Sequence, residues 1–171
     1  MLSLVLLQAN LDPTILVGGE LPQIGGNYKI GEKEYLVFEA CEYMDSFLDF
    51  NPTLAVVLNV GMDHPDYFKN MEQIRASFLS YARRTGKDGT VLYNADDAES
   101  VLAVKAFEGR HATFGIEKEA DYSARNICHK NGVTEFEFWC REELLCNIRL
   151  QVFGRHNVYN ALAAAAAASI C

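Results

Sequence analysis

The fold is decided by residues 54–64, which read LAVVLNVGMDH: an unbroken apolar run, 54–58, followed by small, polar and titratable residues. An unbroken run, unlike an alternating one, is typical of a strand covered on both faces, as in a parallel α/β sheet. Residues 35–38 (YLVF) form another such run, which ends at Glu39. Two strands of this kind, each followed by titratable residues, indicate an α/β domain with chemistry at its strand ends.

Further helices and strands alternate along the first two thirds of the chain. Helices are predicted at residues 2–10, 71–84 and 96–104, and short strands at 15–17, 90–93 and 111–114. Within 71–84 the apolar residues fall near helical spacing with polar residues between them. The alternation predicts a doubly wound, mostly parallel sheet.

The pattern changes after residue 120. Antiparallel strands are predicted at residues 121–128, 133–140 and 144–152, with Asn131-Gly132 as the turn between the first two. Residues 157–171 then predict a helix with six consecutive alanines. We therefore expect one α/β domain over residues 1–171, with a small antiparallel three-stranded element near residues 121–152. Since the chain stops within the alanine helix, we also expect it to be truncated.

Charge and composition exclude several classes of protein. Fifteen basic against twenty-three acidic residues give a net charge of −8, which disfavours nucleic acid as a partner. The five cysteines are odd in number and lack CxxC spacing, which argues against a disulfide framework or a zinc site and favours a reduced, cytoplasmic setting. The apolar start at residues 2–7 lacks the flanks of a signal peptide and the length of a membrane span, so no membrane contact is expected.

Two candidate site residues, Glu39 and His64, follow predicted strands. Ligands collect beyond the carboxyl ends of the strands of an open sheet, so neighbouring strands could bring this carboxylate and imidazole together to bind a metal or polarise a substrate. The alternative is a loop carboxylate at position 39 and a helix-capping His64 before Pro65. Spacing alone does not indicate magnesium, because that ion prefers oxygen ligands.

A second candidate region is residues 154–160, GRHNVYN, at the start of the last predicted helix. Asn157 can serve as the N-cap of that helix, which by itself would account for it. Alternatively, Asn157 and Asn160 place two amides near one helix face, where they can hydrogen-bond a nucleobase edge. The helix N-terminus would then favour anionic groups. Both interpretations remain open at this point.

The segment 18–31 contains five glycines but matches neither GxxxxGK[ST] nor GxGxxG. No other part of the sequence carries a phosphate-binding loop of these types. We predict a flexible surface loop here.

Four strings, in this order and spacing, resemble the central domain of the Mur ligase family. They are residues 38–43 (FEACEY), 59–68 (NVGMDHPDYF), 93–97 (YNADD) and 154–164 (GRHNVYNALAA). The resemblance runs along nearly the whole chain and is greatest to the branch of the family that joins L-alanine to UDP-N-acetylmuramate. It implies a P-loop NTPase-like fold and an ATP-dependent ligase of peptidoglycan synthesis that forms an acyl phosphate.

The resemblance also implies roles for individual residues. Glu39 would bind the Mg²⁺ between the ATP phosphates, and His64 would contribute to a second Mg²⁺ near the acyl phosphate, so that both are catalytic. His156, Asn157 and Asn160 would contact the nucleotide, with Asn160 at the adenine. Such ions spread developing charge and orient the phosphoryl group.

The sequence departs from the family pattern in one respect that limits its activity. Family members carry a GKT-type phosphate loop just before the helix that begins here at Leu2, and this sequence has none. The UDP-binding and C-terminal domains of the family are also expected to be absent, so the fragment should be inactive alone. Two alternatives remain: the related murein peptide ligase of cell-wall recycling, and a non-catalytic nucleotide-binding module. A folate polyglutamate ligase fits residues 38–43 less well.

Overall fold

The computed structural model describes residues 1–32 and 34–171. Its α-helices are α1 (Leu2–Gln8), α2 (Met71–Arg83), α3 (Ala98–Val104) and α4 (Arg155–Ile170). Its strands are β1 (Thr14–Leu21), β2 (Gly26–Lys29), β3 (Leu36–Phe38), β4 (Leu54–Val57), β5 (Thr90–Asn94), β6 (Arg110–Gly115), β7 (Tyr122–Lys130), β8 (Val133–Cys140) and β9 (Glu143–Leu150). Two 3₁₀ segments lie at Pro22–Ile24 and Tyr43–Asp49.

The larger sheet has six strands in the order β4-β5-β6-β7-β8-β9. Strands β4 to β7 pair in parallel, while β7, β8 and β9 pair antiparallel. The predicted α/β class with an antiparallel element is confirmed. The antiparallel strands, however, extend the parallel sheet instead of forming a sheet of their own.

The seam between the two parts of this sheet is short. β6 and β7 share only the pairs Phe114↔Tyr122 and Gly115↔Ser123. Next to them, the Asp121 carboxylate accepts hydrogen bonds from the backbone N–H and the hydroxyl of Thr113, both at 3.0 Å. The Asp121 side chain thus adds hydrogen bonds between β6 and the start of β7, where only two backbone pairs join the strands.

Helices cover both faces of the larger sheet, which confirms the doubly wound arrangement. Successive strand residues point to opposite faces. Accordingly, Val91 of β5 lies in a core cluster with Ile74 of α2 and Ala103 of α3. Its neighbour Leu92 lies in a second cluster with Leu162 of α4. The alanines of α4 serve this packing, because a helix with small side chains can approach a sheet closely.

A second, three-stranded sheet has the order β2-β1-β3, with β1 antiparallel to β2 and parallel to β3. The prediction of a loop from residue 18 onward was wrong here, since Gly18 and Gly19 belong to β1 and Gly26 to β2. Glycine has low strand propensity because it offers no side chain to pack, so sequence patterning underestimates such strands. The glycine that makes the turn is Gly25, with φ of 72°.

The helix starts are fixed by local chemistry. Asn70 caps α2 by accepting from the N–H of Gln73 at 2.9 Å, and Asp97 caps α3 by accepting from the N–H of Ser100 at 2.7 Å. Along the described parts of the chain, no helix combines the length and the apolar character that crossing a membrane requires.

Candidate active site

One candidate residue, His64, lies in the segment that leaves the carboxyl end of β4 in the larger sheet. Two hydrogen bonds tie the segments that leave β4 and β5. The Asn94 side-chain amide donates to the carbonyl of Leu58 at 3.1 Å, and the N–H of Val60 donates to the Asp97 carboxylate at 3.1 Å. The segment from residue 58 to His64 is therefore anchored at the edge of the sheet where ligands of open α/β folds bind.

His64 lies among acidic side chains. Its Nε2 is 3.7 Å from Oε1 of Glu42, and its Nδ1 is 4.0 Å from Oδ1 of Asp63. Among the described residues, these three offer ligand atoms that all lie within 4.8 Å of one another. His64 has a φ of 49°, in the left-handed region that a histidine seldom adopts. Its imidazole thus lies between the carboxylates of Glu42 and Asp63 at the end of the segment that follows β4.

Glu39 does not belong to that group of three. It follows β3 directly, its side chain is exposed, and its Oε2 accepts a hydrogen bond from the backbone N–H of Gly18 at 2.9 Å. Neighbouring strands of one sheet were expected to deliver Glu39 and His64, but β3 and β4 belong to different sheets. That part of the prediction was wrong, because two continuous apolar runs do not by themselves reveal which strands pair.

Two crossed tyrosine–aspartate hydrogen bonds join the Tyr43–Asp49 segment to the loop after His64. The hydroxyl of Tyr43 donates to Asp66 at 2.8 Å, and the hydroxyl of Tyr67 donates to Asp45 at 2.6 Å. These bonds raise the pKa of each tyrosine, and the bond from Tyr43 lowers the pKa of Asp66. We call the four residues the tyrosine–aspartate clasp. It was not predicted from the sequence, although both tyrosines lie within the two motif strings.

The start of α4 is fixed to the same edge of the sheet. The hydroxyl of Tyr159 donates to Asp96 at 2.8 Å, and Arg155 pairs with Glu117 at 2.6 Å. Asp96 also accepts from the backbone N–H groups of residues 116–118. Burial raises the pKa of Asp96, but these hydrogen bonds outweigh it, so the pKa is lowered overall. The exits of β5 and β6 and the first turn of α4 therefore form one connected unit.

The capping prediction for Asn157 was wrong. The helix begins at Arg155 after Gly154, whose φ is 99°, so Asn157 is already inside the helix. Its side-chain amide reaches back and donates to the carbonyl of Phe153 at 2.6 Å. Asn160 lies one turn further on and is half-buried, while His156 is exposed.

The φ of 99° favours glycine at position 154, and the exposed ring of His156 lies close beside it. A Cβ at position 154 would lie 2.5 Å from its Cε1 atom. The three predicted nucleotide-contacting residues thus share the first turns of α4, near the exits of β5 and β6.

The sequence matches the Mur ligase middle domain over residues 20–168. This chain belongs to that family. It is 44% identical over 167 residues to the UDP-N-acetylmuramate–L-alanine ligase of Caldanaerobacter subterraneus subsp. tengcongensis, covering 97% of this chain and 36% of that protein. The chain therefore spans only about a third of the length of such relatives.

Solved structures of Mur ligases have the same fold as this Mur ligase domain. The UDP-N-acetylmuramate–alanine ligase MurC of Thermotoga maritima superposes with a TM-score of 0.82 at 26% identity, covering 99% of this chain and 37% of that one. A UDP-N-acetylmuramate:L-alanyl-γ-D-glutamyl-meso-diaminopimelate ligase of Neisseria meningitides gives a TM-score of 0.83 at 26% identity, covering 98% and 56%. The mixed sheet of the Mur ligase domain is thus a family feature.

Proposed function

We propose that this chain is the ATP-handling part of a ligase that joins L-alanine to UDP-N-acetylmuramate through an acyl phosphate. The observation that carries the proposal is the edge of the larger sheet, where His64 lies with Glu42 and Asp63 in a chain of the Mur ligase family. The relative that is 44% identical over nearly all of this chain bears the name of that reaction. Fold alone would not specify a reaction, whereas side chains at the edge of the sheet can.

The side chains at this edge suit Mg²⁺. The ion takes oxygen ligands and is commonly held by one or two carboxylates together with substrate phosphates. Glu42 and Asp63 offer oxygen donors around His64 at this edge, and Glu39, which follows β3 of the smaller sheet, offers a separate exposed carboxylate. We assign Glu39 to the ion between the ATP phosphates and His64 to a second ion near the acyl phosphate. When bound, such ions stabilise the charge that develops during phosphoryl transfer.

We propose that the first turns of α4 receive the nucleotide. The amide of Asn157 is already engaged with the Phe153 carbonyl and so fixes the backbone just before the helix. Asn160, with one donor and one acceptor group in its amide, is assigned to the adenine edge. His156, exposed in the first turn of α4, is assigned to another contact with the nucleotide. The fixed position of this helix end, through Tyr159 and Asp96, keeps these contacts aligned with the edge of the sheet.

We further propose that other parts of the enzyme supply the phosphate loop, the UDP-binding domain and the C-terminal domain. The sequence has no GxxxxGK[ST] string, so it offers neither the lysine nor the backbone amides that cradle phosphates in such loops. Alone, the chain should release no phosphate from ATP in response to L-alanine. A cytoplasmic location fits both the ATP requirement and the free cysteines.

The proposal is tested in the intact enzyme by phosphate release from ATP. Release should require both UDP-N-acetylmuramate and L-alanine. The second candidate is the murein peptide ligase activity, which the similarity to the Neisseria structure favours. Release that requires the tripeptide L-alanyl-γ-D-glutamyl-meso-diaminopimelate in place of L-alanine would select that candidate. If neither L-alanine nor the tripeptide supports phosphate release, the remaining candidate is a non-catalytic nucleotide-binding module.

A further inference from the structure

Two hydrogen bonds connect Glu39 to strand β1. Its backbone N–H donates to the carbonyl of Leu16 at 2.9 Å, which continues the pairing of β3 with β1. Its side-chain Oε2 accepts from the backbone N–H of Gly18, also at 2.9 Å. Leu16 therefore fixes the main chain of Glu39, and Gly18, two residues further along β1, fixes its carboxylate.

The second of these bonds takes the place of a ladder bond. Backbone groups that face a neighbouring strand recur at every second residue, so the N–H of Gly18 is the next donor toward β3 after residue 16. β3 has ended at Phe38, and the Glu39 carboxylate accepts this donor where a backbone carbonyl would otherwise do so. The direction of the carboxylate is thus set by the backbone of β1.

The absence of a side chain at position 18 matters as much as its N–H. A Cβ there would lie 3.3 Å from Oε2 and 3.4 Å from Oε1 of Glu39, at the short limit of van der Waals contact, so the carboxylate would have to shift by a few tenths of an ångström. The backbone of Gly18 is not in the left-handed region, so conformation does not require glycine here. At Gly19, by contrast, a Cβ would meet nothing within 4 Å. Of the two adjacent glycines, only Gly18 would therefore place a Cβ against the carboxylate.

We propose that Gly18 is a positioning residue that holds the Glu39 carboxylate in its cation-binding orientation. The inference rests on the metal role proposed above for Glu39. An exposed glutamate has several rotamers of similar energy, and one backbone donor that selects among them reduces the entropy lost on binding. A carboxylate has about four lone-pair positions, so the bond from Gly18 leaves the others free for a cation.

The test compares Gly18→Val with Gly19→Val in the intact enzyme. Valine has high strand propensity, so both variants should keep β1, and thermal unfolding checks this. The readout is Mn²⁺ affinity followed by electron paramagnetic resonance at a fixed concentration of ADP. Gly18→Val keeps the backbone N–H, but its side chain occupies the space beside the Glu39 carboxylate and displaces it from that donor. Loss of a contact that orients a metal ligand typically costs 10- to 100-fold in affinity, so this variant should weaken Mn²⁺ binding by about tenfold or more. Gly19→Val should bind Mn²⁺ as the wild type does.

Two further variants separate the possible failures. Gly18→Ala adds only the Cβ, so its Mn²⁺ affinity should fall between those of the wild type and Gly18→Val, and it serves if valine prevents folding. Glu39→Gln should weaken Mn²⁺ binding at least as much as Gly18→Val. Wild-type affinity in both Gly18 variants, with loss in Glu39→Gln, overturns the role of Gly18 and leaves that of Glu39. Wild-type affinity in Glu39→Gln overturns the proposed metal role and the inference with it.

Discussion

The ring of Tyr43 lies against the imidazole of His64, with centroids 4.6 Å apart and planes inclined by 37°. The tyrosine itself is held from the other side by the bond of its hydroxyl to Asp66. Ring contact and clasp together restrict where the imidazole can move. The left-handed backbone at His64 sets where its side chain starts, and the contact with Tyr43 then orients the ring.

Removing the ring of Tyr43 should therefore lower turnover more than removing its hydroxyl alone. Tyr43→Leu deletes the ring that contacts His64, and we expect kcat of the intact enzyme to fall by about tenfold, as for other residues that orient a metal ligand. Tyr43→Phe keeps the ring and should lose less. It should also raise the pKa of Asp66 toward its ordinary value, because the bond from the hydroxyl is gone, which NMR titration can measure. Equal kcat in the two variants would contradict the role of the ring. Tyr28→Leu, at an exposed position on β2, is the control.

Replacing His64 should reduce turnover without unfolding the protein. His64→Asn removes the imidazole while asparagine tolerates the left-handed backbone, so little strain is added. Loss of one group that stabilises developing charge typically costs about 10²- to 10³-fold in kcat, and we expect a decrease of that order. Steady-state phosphate release and thermal unfolding measure the two effects. His111→Asn on β6 is the matched control and should change neither. A His64→Asn enzyme with normal turnover would refute the metal role.

The face of α4 that packs on the sheet should not accept larger side chains. Ala166 is fully buried in the second core cluster, so Ala166→Leu should overpack it and lower the free energy of unfolding by about 1–3 kcal/mol. Ala168→Leu makes the same change at a half-buried position of the same helix and should cost less. Urea unfolding of both variants gives the comparison. A smaller loss at position 166 than at 168 would show that the helix packs differently.

Acid should weaken the unit that joins α4 to the sheet. The pKa of Asp96 is lowered in the folded protein from its ordinary value of 3.8, so its contribution to stability is present above that value and is lost as the pH falls through the folded pKa. Asp96→Asn removes this dependence. We therefore expect the unfolding free energy of the wild type to fall more steeply with acid than that of the variant. Parallel pH profiles from urea unfolding at several pH values would argue against it.

Much of this architecture was predictable because apolar runs and helical spacing report burial directly. The strand at residues 54–57, the helix at 71–83 and the antiparallel strands after residue 120 follow from such patterns. Gly18 in β1 was missed, because hydrogen bonds to other strands, and not its own side chain, keep it extended. Strand pairing was missed for the same reason: it depends on contacts between distant residues.

The candidate site was predictable only in part. His64 and the carboxyl edge of the sheet follow from the position of a titratable residue after a strand. The proximity of Glu42 to His64 was missed, because it depends on the 3₁₀ segment that follows Glu42, in which Met44 and Asp45 have φ of 52° and 58°. Left-handed backbone conformations at single residues produce no periodic pattern in the amino-acid sequence. The roles of Glu39, His64, His156, Asn157 and Asn160 stay predictions.

The backbone pairing between the parallel and antiparallel parts of the larger sheet is short. Two backbone residue pairs and the Asp121 carboxylate join the parallel part to the antiparallel arm of β7, β8 and β9, and residues of both parts share one core cluster with α4. Burial raises the pKa of Asp121, but the bonds from Thr113 and Arg141 outweigh it, so the pKa is lowered and the carboxylate stays charged into mild acid. Once it is protonated, the joint loses an acceptor while both halves keep their own ladders. The packing of α4 against strands on both sides of the seam, and not the strand pairing, should then keep the arm aligned with the parallel part.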